Sequence, residues 1–140
     1  MNGNELSFAY DFANRLISAG QNSYTYNVED VRVRNLCGES ETTYAYNTNG
    51  RLSQLLVKTT DGVITKYVYG LGLIGEETSG NFKTYHFDYR GSTTAITDIN
   101  GNVTDTFAYD TYGNLVSRTG TSAVIFLYNG RDGVVTDDNG

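Results

Sequence analysis

Thr42-Thr43-Tyr44-Ala45-Tyr46-Asn47-Thr48-Asn49-Gly50 is the stretch on which the reading of this chain turns. Tyr44 and Tyr46 are separated by one residue, so in an extended backbone both rings point to the same face. The stretch ends in Asn-Gly, whose tolerance of positive φ suits a hairpin turn. Residues 42–46 therefore read as one strand, 47–50 as a turn and 51–58 as the returning strand. Asp61-Gly62 then turns the chain into 63–69. In that run Val63, Thr65, Tyr67 and Tyr69 share one face, and Ile64, Lys66 and Val68 share the other.

The same aromatic doublet recurs along the chain. Its copies are Phe8/Tyr10, Tyr24/Tyr26, Tyr44/Tyr46, Tyr67/Tyr69, Tyr85/Phe87, Phe107/Tyr109 and Phe126/Tyr128, about 20 residues apart on average. Glycines that suit the intervening turns follow at Gly50, Gly91, Gly101, Gly113 and Gly130, with further turn signals at Asp132-Gly133 and Asn139-Gly140. A repeat of that length holds one hairpin of two short strands. The expected fold is all-β: consecutive antiparallel hairpin repeats forming a curved or spiral sheet, as a single array over residues 1–140. Seven hairpins imply about fourteen strands, and open twisted sheets rarely exceed about ten without curling or closing. Such a strip leaves an open strand at each end, which invites further repeats or self-association.

Composition supports this reading and excludes several functions. Twelve Tyr, six Phe, sixteen Gly and no Pro suit a chain that donates nearly every backbone N–H to a ladder. A net charge of −6 argues against binding nucleic acid or an anionic membrane surface. The longest apolar run, residues 123–128, is far too short to span a bilayer, so no membrane insertion is expected. Cys37 is the single cysteine, which rules out an intrachain disulfide. Residues 1–6 show neither the basic nor the apolar region of a signal peptide. The localisation of the chain is left open, and the chain is expected to be a piece of a longer protein.

The residues 8–18 (Phe-Ala-Tyr-Asp-Phe-Ala-Asn-Arg-Leu-Ile-Ser) and 44–52 (Tyr-Ala-Tyr-Asn-Thr-Asn-Gly-Arg-Leu) resemble the YD repeats of the bacterial RHS family. These repeats also occur in wall-associated proteins, insecticidal toxin complexes and teneurins. Residues 85–102 and 107–115 are similar to the start of that family's C-terminal core region, which 85–140 would represent in part. The aspartate after the doublet is kept at Asp11, Asp88 and Asp110, is replaced by Asn27, Asn47 and Asn129, and becomes Gly70 in the fourth unit. The resemblance implies a non-catalytic wall segment of a hollow β-shell whose parent encloses or delivers a polymorphic toxin. It implies further YD repeats and a C-terminal toxin domain as partners, no cofactor, and a secreted or cell-surface parent. In the family, a segment like 128–133 leads into a further strand, a self-cleavage motif and the toxin domain. Here the chain ends at Gly140.

The motifs that could carry chemistry have plainer explanations. Gly70-Leu71-Gly72-Leu73-Ile74-Gly75 has the spacing of a dinucleotide fingerprint, but that motif must open a helix, and Glu76 to Gly80 supply none. Asp98-Ile99-Asn100-Gly101-Asn102 echoes a calcium loop, with Gly at the wrong position and no distal Glu. His86, the single histidine, lies on the face opposite Tyr85 and Phe87, without the surroundings of a triad. The Asp or Asn after each doublet is expected to bond turn amides through its side chain, with Arg15 or Arg51 as an added donor. A second functional class stays open: a carbohydrate or cell-wall binding module stacking glycans on exposed tyrosine rows.

Overall fold

The structure, a computed structural model, describes residues 7–136. Twelve strands form one antiparallel sheet in which each strand pairs with its neighbours in sequence. They are β1 (Phe8–Tyr10), β2 (Leu16–Ala19), β3 (Asn22–Tyr26), β4 (Arg32–Cys37), β5 (Ser40–Asn47) and β6 (Gln54–Thr60). The meander continues as β7 (Val63–Tyr69), β8 (Leu73–Thr78), β9 (Asn81–Phe87), β10 (Thr93–Thr97), β11 (Val103–Tyr109) and β12 (Leu115–Thr119). The first six doublets all fall on odd-numbered strands, so every hairpin presents its rings alike. Along β7 the burial alternates as expected, with Thr65 and Tyr67 buried and Ile64, Lys66 and Val68 exposed.

Two kinds of connection alternate along most of the meander. On one edge, tight turns such as Asp61-Gly62 (φ 49° and 83°) and Ser79-Gly80 (φ 52° and 81°) carry two positive φ values. That geometry matches the right-handed twist of the flanking strands. On the other edge, longer loops follow the doublets. The turn expected at residues 47–50 is not a tight one. Asn47 pairs with Gln54, so the connection runs through the intervening residues, and β6 begins at 54 rather than 51. With that much chain to close the hairpin, Gly50 has no need of positive φ and does not take it.

A register shift recurs at every doublet. Ala9 faces Ser18 but Tyr10 faces Leu16, leaving Ile17 as an extra residue on the partner strand. The same bulge leaves out Val33, Leu56, Ile74, Thr94 and Val116 opposite the later doublets. Each bulge bends its strand and adds local right-handed twist. The sheet bends far enough for residues of β3 and β12 to line the same hollow.

The seventh doublet corrects the sequence reading. Phe126 and Tyr128 do not lie in a hairpin: residues 120–136 leave β12 and run back over the doublet face, with a short 3-10 turn at Gly130–Asp132. Thr93 donates its backbone N–H to the Leu127 carbonyl (2.9 Å), and Arg131 donates to the Gly91 carbonyl (3.0 Å). The Asn129-Gly130 and Asp132-Gly133 turn signals therefore serve this 3-10 turn, with Asn129 and Gly133 both left-handed. Asn139-Gly140 lies outside the described residues. The physical reason is coverage. Val124, Phe126 and Leu127 are all buried, which an edge strand with one wet face could not achieve. Phe126 meets Tyr67 edge-on at 5.1 Å, and Leu55, Leu73, Tyr85, Ile96 and Phe107 complete the core beneath. We call residues 120–136 the strap.

Candidate functional site

The loops after the doublets are built by one repeated device. Asp110 Oδ1 accepts backbone N–H bonds from Tyr112 (2.8 Å) and Asn114 (2.9 Å). Meanwhile the Asp110 amide donates to the Asn114 carbonyl and the Gly113 amide to the Asp110 carbonyl. Asp11, Asn27 and Asp88 make the same four bonds, and Asp98 repeats them at the opposite edge. The residue before the last amide takes positive φ: Asn14, Asp30, Gly91, Gly101 or Gly113. Asn47 keeps only the bond from the Asn49 amide (3.1 Å). Arg15 adds the expected side-chain bond to Asp11 (2.7 Å) and reaches Asp30 in the next loop (2.8 Å). Among the described residues no such bond joins Arg51 to Asn47. Hydrogen bonds to the charged form hold Asp11, Asp98 and Asp110 below the ordinary 3.8, led by the Arg15 amide, the Asn102 amide and the Asn114 side chain respectively.

The second tyrosine of a doublet has its own task. The hydroxyls of Tyr26, Tyr69 and Tyr109 donate to the carbonyls of Leu16, Leu55 and Thr93, each at 2.8 Å. Each acceptor sits at the start of the strand just before, so the ring ties one hairpin to the previous one. Phe87 lacks the hydroxyl and cannot make this tie. The first rings Tyr67, Tyr85 and Phe107 are buried beneath the strap, whereas Phe8 and Tyr10 on β1 remain 57% and 58% exposed. Burial raises the pKa of Tyr67, Tyr85 and Tyr109, and it pushes that of Tyr69 up to about 12 with help from Tyr46.

A polar latch that sequence reading missed fixes the start of the strap. Asp105 is fully buried on β11, where its carboxylate accepts from the Ser122 amide (2.9 Å), the Ser122 hydroxyl (2.6 Å) and the Thr104 hydroxyl (2.8 Å). Lys83 Nζ donates to the same Ser122 Oγ at 2.7 Å. Burial alone would raise the Asp105 pKa, but these bonds and the Lys83 charge outweigh it and lower it. Gly120 (φ 82°) lies against Asp105, where a Cβ would collide with the carboxylate. The signal in the sequence was faint: an acid on the strand face that also carries Phe107 and Tyr109.

Between the strap and the tight-turn ends of β3 to β9 lies a hollow of about 900 Å³. Its lining is unlike the rest of the molecule. Among the described residues, Arg32, Lys58, Lys83 and Arg118 line it, together with one carboxylate, that of Glu76. Hydroxyls and amides make up much of the remainder, including the cross-strand pairs Thr42/Thr60 (3.1 Å) and Thr65/Thr78 (2.9 Å). Glu76 is buried and accepts the Tyr85 hydroxyl at 2.7 Å.

The other motifs settle into structure. Gly70-Leu71-Gly72 is the loop between β7 and β8, and Gly75 lies within β8, where a Cβ would press on the Phe82 ring at 2.8 Å. The Asp98 carboxylate is occupied by loop amides and the Asn102 side chain. His86 bonds Thr97 Oγ1 at 2.9 Å on an exposed face. Cys37 is exposed. Among the described residues no group of three or more His, Cys, Asp or Glu side chains could hold a metal ion. Compared with known proteins, the chain matches no protein-family model and no curated protein.

Proposed function

We propose that this chain is a non-catalytic wall segment of a YD-repeat β-shell, whose parent protein encloses or delivers a toxin. The observation that carries the reading is the sameness of the units. The doublet and the bulge opposite it recur from β1 to β12, the side-chain-closed loop follows four of the six doublets on strands, at Asp11, Asn27, Asp88 and Asp110, and tyrosine ties join hairpin to hairpin. Residues placed by a repeat build several equivalent positions, where catalysis needs one distinct cluster. Such units extend into a curved or spiral strip by adding copies at an edge, and the exposed Phe8 and Tyr10 are the surface a preceding hairpin would cover. On this reading the partners are further YD repeats and a C-terminal toxin domain. The glycan-stacking alternative needs a row of open rings, yet Tyr67, Tyr85, Phe107 and Phe126 are all buried.

Sequencing the source locus on both sides of the coding segment tests the proposal. The wall reading expects further aromatic doublets upstream in frame, at spacings of about 20 residues. Flanks without them would remove it.

A further inference from the structure

The two edges of the sheet end in unlike side chains. Along the tight-turn edge the tips are polar or glycine, as at Gly38-Glu39 and Ser79-Gly80, with Ile99 the one large apolar tip among the described residues. Each of the six loops at the opposite edge instead carries a large apolar side chain: Phe12, Val28, Leu52, Leu71, Tyr89 and Tyr112. Phe12, Val28 and Leu71 are fully exposed, Tyr89 and Tyr112 are 88% exposed, and Leu52 is 64% exposed. The loop device itself holds three of them out. Oδ1 of Asp11, Asn27 or Asp88 takes the amides two and four residues on, so Phe12, Val28 and Tyr89 are bracketed by the first bond and stand at the crown. Exposed apolar residues scattered singly are ordinary, whereas a row along one edge marks an interaction surface. The first and last described residues lie at the other edge: Ser7 accepts the Gly20 amide at 3.0 Å, and Thr136 lines the hollow.

The row itself selects the partner. Successive tips lie two strands apart, about 10 Å at about 4.8 Å per strand. A partner must repeat at that interval, and the same rim on a second copy does. Three aromatic side chains at about 150–250 Å² each, with Val28, Leu52 and Leu71 beside them, supply about the 800 Å² per partner that a stable interface buries. A two-fold axis between the third and fourth loops sets Phe12 against Tyr112, Val28 against Tyr89 and Leu52 against Leu71 of the second copy. The same pairing brings the exposed Glu29, beside Val28, towards Arg90, beside Tyr89. Glu29 and Asp30 stand exposed among the tips, which disfavours a lipid surface, where both charges would be buried. We propose that this rim docks a second copy of the chain as a two-fold dimer built on those three apolar pairs. Such a contact needs neither further repeats nor a toxin domain. It lacks the main-chain ladder that a strand added at β1 would gain, so it forms at higher concentration than association through Phe8 and Tyr10.

Sedimentation velocity of the whole chain carrying Phe8→Lys/Tyr10→Lys, which removes association at β1, tests this. At high concentration it is expected to pass from monomer to dimer and no further. Adding Val28→Ser/Tyr89→Ser should weaken that dimer at least about tenfold at an unchanged melting temperature, whereas adding Ile99→Ser at the opposite edge should leave it as it was. The two-fold pairing has its own readout in a Cys37→Ser background. Oxidation of concentrated Phe12→Cys/Tyr112→Cys should link two chains, and Phe12→Cys alone should not. Amide shifts of the unaltered chain on concentration, read by NMR, should move at residues 27–31 and 88–92, which serves if a variant does not fold. Cosedimentation with phosphatidylcholine vesicles is expected to show no binding. A Lys variant monomeric at every concentration, an unweakened serine variant, equal cross-linking by Phe12→Cys alone, unmoved loop amides, or vesicle binding in place of dimerisation would each overturn the proposal.

Discussion

Asn27 and Asp110 show that one acceptor oxygen, not one charge, closes these loops. Each Oδ1 takes the same two backbone amides, although one side chain is neutral. Removing the side chain leaves both donors unserved, so Asn27→Ala should destabilise by about 1–2 kcal/mol, while Asn27→Asp should hold. Chemical denaturation of both variants checks this. Where the residue is Asp, the loop acquires a pH dependence that Asn27 lacks. Asp11, Asp98 and Asp110 have folded pKa values below 3.8, so the stabilisation is complete above that value and is lost as pH falls through the lower folded ones. Melting temperature should therefore drop on acidification below about pH 4. The variant with all three changed to Asn should show a flatter acid limb. This device was legible in the sequence because its contacts lie within five residues.

At the scale of elements, the strap matters most. Phe126 has no exposed surface and closes the core against Tyr67, so Phe126→Ala should cost about 3–5 kcal/mol, measured by denaturant unfolding. The rings beneath it give an alkaline counterpart. Tyr67, Tyr69, Tyr85 and Tyr109 all ionise above the ordinary 10.0 in the folded chain, Tyr69 at about 12. A raised pKa stabilises the fold fully below the unfolded value and loses that contribution as pH climbs from 10 towards the folded one. Stability should hold to about pH 10 and fall beyond it, with phenolate absorbance rising together with unfolding. Strand alternation foretold the odd strands and the shared face of their rings. It misread Phe126 and Tyr128, because spacing of two records which residues are apolar and not which surface they meet. The bulges were equally hidden, since a bulge belongs to a pair of strands and leaves no mark on one.

For the molecule as a whole, the open ends govern behaviour in solution. β1 is three residues long and presents Phe8 and Tyr10 to solvent, so the chain should associate as its concentration rises. Sedimentation velocity should show this, and Phe8→Lys/Tyr10→Lys should remain monomeric at concentrations where the parent does not. What the sequence by itself determined is the repeat: all-β hairpins, rings on one face and side-chain-closed loops. Those features depend on backbone propensities and on contacts a few residues long. Only the tertiary structure decided what covers that face and what space is left beside it. The strap reaches Lys83 from Ser122, 39 positions away. The hollow gathers side chains from β3 to β12. Both depend on twist accumulated over many strand pairs, a sum of small angles that no local stretch of sequence records.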